Sequence, residues 1–154
     1  MSERKTVEQL YRGTHDLFAA RVGDELGSLD FLITEEMVER NAWANDDYHP
    51  WYMDDSPFGG RIASPVYLAS FDAQIFYGYY AYPAGGSLFA QQEFEYFAPI
   101  KVGEKYSMSG TLVDIYQRRG RTFFKAAMSV RDANGIEVMR MIKTVAAPVQ
   151  PLAD

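Results

Sequence analysis

The sequence predicts an α+β domain in which an antiparallel sheet curls around one long buried helix. Residues 65–80 carry Val66, Leu68, Ala69, Phe71, Ala73, Ile75, Phe76 and Tyr77, apolar on nearly every side, the pattern of a helix without a solvent face. Residues 87–97, 104–117, 121–132 and 136–147 are rich in β-branched and aromatic residues and read as four consecutive strands. The breaks between those strands are short, so neighbours run antiparallel. A single wholly apolar helix beside such a sheet is satisfied only if the sheet wraps it.

The elements follow in order. Val7, Leu10, Tyr11, Leu17 and Phe18 recur at helical spacing with charges between them, predicting an amphipathic helix over 4–20 that ends near Gly23. That helix, residues 1–20, would precede a single domain over 21–154, with His15 on its polar side as a solvated histidine. Residues 29–33 read as a short strand. Thr34 is the expected N-cap of a helix over 35–44, with Glu35 and Glu36 in the first turn, where the macrodipole favours them. Residues 45–61 mix turn formers, carboxylates and aromatics without a period, an irregular loop loaded with functional groups. Ser64-Pro65 has the pattern of a helix start, serine as N-cap and proline at the first helical position. Arg118-Arg119-Gly120 and Asp132-Ala133-Asn134-Gly135 read as tight hairpin turns.

Composition narrows function. The 154 residues are 47% apolar and 15% aromatic, enough for one sizeable core and too few for two domains. Lys and Arg number 15 against 21 Asp and Glu, a net charge of −6, which argues against nucleic acid as a partner. Without cysteine there is no disulfide, thiolate nucleophile or Cys-ligated zinc. Two histidines, His15 and His49, do not make a multi-histidine metal site, so no metal is expected. The charged start, Met1-Ser2-Glu3-Arg4-Lys5, lacks an apolar signal core, and no run approaches about eighteen apolar residues. A cytoplasmic protein without a membrane partner is therefore expected.

Four stretches then carry a resemblance: Arg21-Val22-Gly23-Asp24-Glu25-Leu26, Ile33-Thr34-Glu35-Glu36-Met37-Val38, Asp46-Asp47-Tyr48-His49-Pro50-Trp51-Tyr52, and Gly60-Arg61-Ile62-Ala63-Ser64-Pro65. Over roughly residues 21–148 the chain resembles the MaoC-like hot-dog dehydratases, in particular their fungal fatty-acid-synthase-type branch. The resemblance implies a hot-dog fold and pairing into a homodimer or heteromer. It also implies an acyl thioester substrate on coenzyme A or a carrier protein, with no other cofactor. The implied reaction is reversible, (R)-specific hydration of a 2-enoyl thioester to the 3-hydroxyacyl form.

The family's hydratase motif runs Gly-Asp-x-Asn-Pro-Ile/Leu-His. Laid on this sequence, Asp46 takes the glycine, Asp47 the catalytic aspartate, His49 the asparagine, Pro50 the proline, Trp51 the aliphatic residue and Tyr52 the catalytic histidine. The following Gly-x-Ile-Ala-His-Gly becomes Gly60-Arg61-Ile62-Ala63-Ser64-Pro65, so the second histidine and the last glycine are also replaced. Pro65 has no N–H to offer an oxyanion. Hydration needs a water activated by a base, a proton for the α-carbon and donors for the enolate oxygen. Asp47, His49 and Tyr52 are the catalytic candidates, with His49 substituting as base if the loop brings it beside Asp47. Tyr52, a phenol, donates well but is a poor base near neutrality. The oxyanion donors would shift to the N–H groups of Val66 and Tyr67, with Ser64 beside them. Arg118 and Arg119, together with Arg121, would grip coenzyme A phosphates, or form an ordinary solvated turn.

Asp72 stands alone among apolar neighbours and must find a partner, an interface or a cavity. The loss of the histidine leaves a second function open, a catalytically silent MaoC-like subunit of a heteromeric hydratase. A hot-dog thioesterase with Asp72 as its acid is a third.

Overall fold

The computed structural model describes residues 12–148. Strand β1 (Glu25–Leu32) leads to helix α1 (Glu35–Asn45), the short helix α2 (Pro50–Met53) and helix α3 (Phe71–Tyr79). Strands β2 (Leu88–Tyr96), β3 (Lys105–Arg118), β4 (Arg121–Asp132) and β5 (Glu137–Pro148) follow. The strands form one sheet in the order β1-β3-β4-β5-β2, with every neighbouring pair antiparallel. Alternation drives it: along β4, Thr122, Phe124, Ala126, Met128 and Val130 point inward and are buried, while the residues between them are not. Register shifts at Glu25/Gly27, Phe89/Gln91 and Leu112/Asp114 bend the sheet, since a bulge raises local twist. The curled inner face closes on α3, whose Ile75 and Phe76 are buried with Met108, Met128, Met139 and Met141. Gly110 of β3 lets the helix approach, because a Cβ there would press on Met128 and Ile75. This is the hot-dog arrangement that the resemblance implied.

Thr34 caps α1 as expected, its hydroxyl accepting from the Met37 N–H at 3.2 Å. The first hairpin is tight, with Arg119 (φ 50) and Gly120 (φ 71) both left-handed. The second is wider: Asp132 accepts from the N–H groups of Asn134 and Ile136, and Gly135 (φ 79) follows the turn.

Three expectations need correction. First, residues 4–11 of the expected N-terminal helix lie outside the described residues, and residues 12–20 are extended apart from one 3-10 turn at Leu17–Ala19. The last carbonyls of α3 need donors. Gly13 and His15 supply them, their N–H groups reaching Tyr77 and Tyr79 at 2.8 and 3.1 Å. A Cβ at Gly13 would overlap the Tyr80 carbonyl, so the segment docks as glycine backbone, and Leu17 enters the core. His15 is exposed but engaged: its Nδ1 donates to the Tyr79 carbonyl at 3.1 Å and its ring stacks on Tyr79 at 4.0 Å. Second, the expected 65–80 helix is two pieces, a 3-10 turn at Tyr67–Ser70 and then α3. Third, the first strand begins at Glu25 instead of 29.

Asp72 has found its partners. It is fully buried on α3, its Oδ1 accepting from Lys143 Nζ at 2.8 Å and its Oδ2 from Gln92 Nε2 at 2.6 Å. Lys143 on β5 and Gln92 on β2 are cross-strand partners, and the Phe89 ring lies 4.7 Å from the ammonium. Burial pushes the Asp72 carboxyl above its ordinary range, with Lys143 pulling the other way.

Removing one member of a buried pair strands a charge. Lys143→Met should therefore lower unfolding stability at neutral pH by about 3–5 kcal/mol in urea titrations. Asp72→Leu/Lys143→Met should regain most of it. A carboxyl raised on folding favours the native state below its unfolded pKa and loses that contribution as pH rises through the folded value. The single variant's deficit should accordingly shrink toward pH 4.

Candidate functional site

The 45–65 loop is ordered by its own backbone. Asp46 adopts a left-handed conformation (φ 51) that ends α1, and the Asp47 N–H returns to the Ala42 carbonyl at 3.0 Å. The Asp47 side chain faces solvent. His49 starts α2: its Nδ1 accepts the Trp51 N–H at 3.2 Å, and Pro50 takes the first helical position. A nitrogen that accepts a backbone N–H carries no proton, so the neutral ring holds its proton on Nε2. The His49 ring lies 5.1 Å from Trp51 and 5.4 Å from Tyr52, which is half-buried against the core.

Arg61 ties the loop together, a role that nothing in the pattern around this lone arginine after two glycines indicated. Its Nε donates to the Tyr52 carbonyl at 2.7 Å, while its guanidinium meets Glu39 at 3.3 Å and Glu35 at 3.8 Å. A backbone bond from Ile62 to Trp51 closes the loop on itself, and bonds from Ala63 to Ile100 and from Val102 to Arg61 fasten it to the segment just before β3. Trp51 and Phe58, edge to face at 5.7 Å, are 39% and 46% exposed beside His49, and Trp43 on α1 is 77% exposed, aromatic surface that the described residues leave uncovered.

The Ser64-Pro65 start differs from expectation. The Ser64 hydroxyl caps nothing; its carbonyl accepts the Tyr67 N–H at 2.9 Å instead, because a tight 3-10 turn replaces the first α-helical turn. Tyr67 therefore has no free N–H for an oxyanion. Val66, with no acceptor for its N–H among the described residues, keeps that capacity. Tyr96, at the end of β2, holds the Pro65 carbonyl through its hydroxyl at 2.7 Å. No spacing in the sequence linked that tyrosine to this turn. Burial raises the phenol pKa of both Tyr67 and Tyr96.

The loop and the helix start thus share one end of the sheet. Arg118 and Arg119 do not join them, since β3 runs from its first residue near the loop to its last at the hairpin, about 40 Å at the usual rise. No hydrogen bond connects Asp47 with His49 or Tyr52 among the described residues. Open clefts of about 510 and 390 Å³ run along the same end, both lined by Tyr106 and Asp132, the second also by Phe58 and Lys101. Among the described residues no three His, Asp or Glu side chains are grouped to hold a metal ion, and no helix is long and apolar enough to cross a membrane.

Residues 20–141 match the family described as FAS1-like, dehydratase domain region. No curated protein sequence matches the chain. Among solved structures, it is similar to the MaoC-like dehydratase from Rhodospirillum rubrum, at TM-score 0.72 and 21% identity over 90% of this chain and 100% of that one. It is also similar to the (R)-hydratase PhaJ1 from Pseudomonas aeruginosa, at 0.69 and 19% over 88% and 89%. A third likeness is to the HadBC (3R-hydroxyacyl-ACP dehydratase) complex from Mycobacterium tuberculosis, at 0.76 and 16% over 85% and 100%. At these identities the likenesses establish the fold.

If His49 is a helix cap, asparagine serves as well, because its side-chain oxygen accepts the same N–H. His49→Asn should leave thermal stability unchanged, whereas His49→Ala should lose about 1 kcal/mol in chemical denaturation.

Proposed function

The chain belongs to the FAS1-like dehydratase-domain family, and we propose that it holds an acyl thioester for hydration or dehydration while a second subunit moves the protons. The observation that carries this reading is the engagement of the loop's only imidazole. A carboxylate-oriented base needs both ring nitrogens, one for the carboxylate and one for the proton it takes. His49 has given Nδ1 to the Trp51 N–H; an Asp47 contact would occupy Nε2 and leave no basic nitrogen. Tyr52, at the position of the family's histidine, donates more readily than it accepts. Support for thioester handling comes from the family, and from the exposed Val66 N–H with Ser64 beside it, at the turn fixed by Tyr96.

A second subunit suits the uncovered edge strand β2, where Leu88 and Phe89 are 54% and 61% exposed. The likeness to HadBC is a likeness to part of a complex. The thioesterase alternative loses its acid, since both Asp72 oxygens are hydrogen-bonded in the core. A self-sufficient hydratase is favoured by one observation: His49 and Asp47 are both exposed on the same loop.

Purified chain mixed with crotonyl-CoA separates these readings. The expected result is calorimetric binding with unchanged enoyl absorbance, and turnover on adding a hot-dog chain that carries the motif histidine. Loss of absorbance with the chain alone, slowed about 10²–10⁴-fold by Asp47→Asn, would establish the self-sufficient hydratase instead. Free thiol release would establish the thioesterase.

A further inference from the structure

The arginines at the β3–β4 turn are placed at a cost to the fold. Arg118 and Arg121 are cross-strand partners, the last pair of their ladder, and like charges set opposite each other destabilise. Arg119 holds a left-handed position (φ 50) that such turns ordinarily give to Asn, Asp or Gly. All three are exposed, and among the described residues none has an acidic partner, whereas Arg40, Arg61 and Arg140 each have one. Beneath them Tyr116 and Phe123 stack face to face at 5.0 Å, stiffening the hairpin. Three exposed guanidinium groups on one tight hairpin tip, in a chain of net charge −6, make an anion fork suited to the recognition of phosphate.

This fork does not serve its own chain's loop. The length of β3 separates them, and a phosphopantetheine arm falls well short of that distance. Sheet register shows which loop it reaches. Tyr96 marks the loop end of β2, through its bond to Pro65. Leu88 marks the other end: it pairs with Ala146, and Pro148, two residues on, pairs with Arg121. If two hot-dog subunits join two-fold through β2, the strands run antiparallel, and the Tyr96 end of one chain meets the Leu88 end of the other. Each hairpin then lies at the same end of the joined sheet as its neighbour's loop.

We propose that Arg118, Arg119 and Arg121 bind the phosphates of a phosphopantetheine handle whose acyl end sits in the loop of the neighbouring subunit. The inference rests on the acyl-thioester reading above and names the residues that would hold the far end of that ligand.

The test compares crotonyl-CoA, crotonyl-4′-phosphopantetheine and crotonyl-pantetheine by calorimetry, on the wild-type chain and on Arg118→Gln/Arg119→Gln/Arg121→Gln. Wild type should bind the two phosphorylated ligands at least about tenfold more tightly than the pantetheine thioester, with a preference that weakens in salt. The triple variant, changed only at exposed positions, should bind all three ligands equally, at the wild-type affinity for crotonyl-pantetheine. A larger gain from crotonyl-CoA than from the single phosphate would place the nucleotide phosphates in the fork; equal gains would place the 4′-phosphate there. Equal wild-type affinities for all three ligands would overturn the fork and leave the thioester reading standing. Failure of every ligand to bind would overturn both. A phosphate preference retained by a chain that light scattering finds monomeric would overturn the assignment to a neighbour's loop.

Discussion

The carboxylate of Asp72 fixes how the helix sits in the sheet. An apolar helix on an apolar sheet is free to slide and roll, because dispersion and the hydrophobic effect have little direction. A buried carboxylate with both oxygens claimed, one by Lys143 of β5 and one by Gln92 of β2, permits one rotation and one depth. With α3 fixed, the 3-10 turn that leads into it follows Pro65, whose carbonyl Tyr96 holds, and its last carbonyls meet Gly13 and His15. Opposite ends of a single helix therefore carry the candidate site and the docking point of the N-terminal segment.

Much of this was legible in the sequence. The four long strands announced themselves by their β-branched and aromatic residues, and the buried helix by having apolar residues on every side except at Asp72. What the sequence hid was contact at long range. Lys143 reads as a solvent-facing strand residue until Asp72 is seen beneath it. Residues 12–20 have helical spacing, yet the free carbonyls at the end of α3 outcompete that local preference. Ser64-Pro65 has the composition of a helix cap, but the chain tightens into a 3-10 turn and uses the serine carbonyl in place of its hydroxyl. The motif put Asp47, His49 and Tyr52 in one segment, and could not show that His49 is held by the backbone of the helix it begins.

That engagement is what the proposed division of labour between two subunits rests on. The sheet and the helix are those of the hot-dog fold that the solved structures share. The loop keeps an acid, Asp47, and has a phenol where the family has an imidazole. Its exposed aromatic surface, Trp43, Trp51 and Phe58, and its uncovered β2 edge both face outward.

The central claim is that His49 is a structural cap and not half of an acid–base pair with Asp47. Nitrogen-15 NMR of the imidazole, in the wild type and in Asp47→Asn, tests it most directly. The account predicts an Nε2-protonated ring whose Nδ1 accepts a hydrogen bond, with both nitrogen shifts unmoved by the substitution or by bound crotonyl-CoA. An Nδ1-protonated ring, or nitrogen shifts that move when the Asp47 carboxylate is removed, would contradict it.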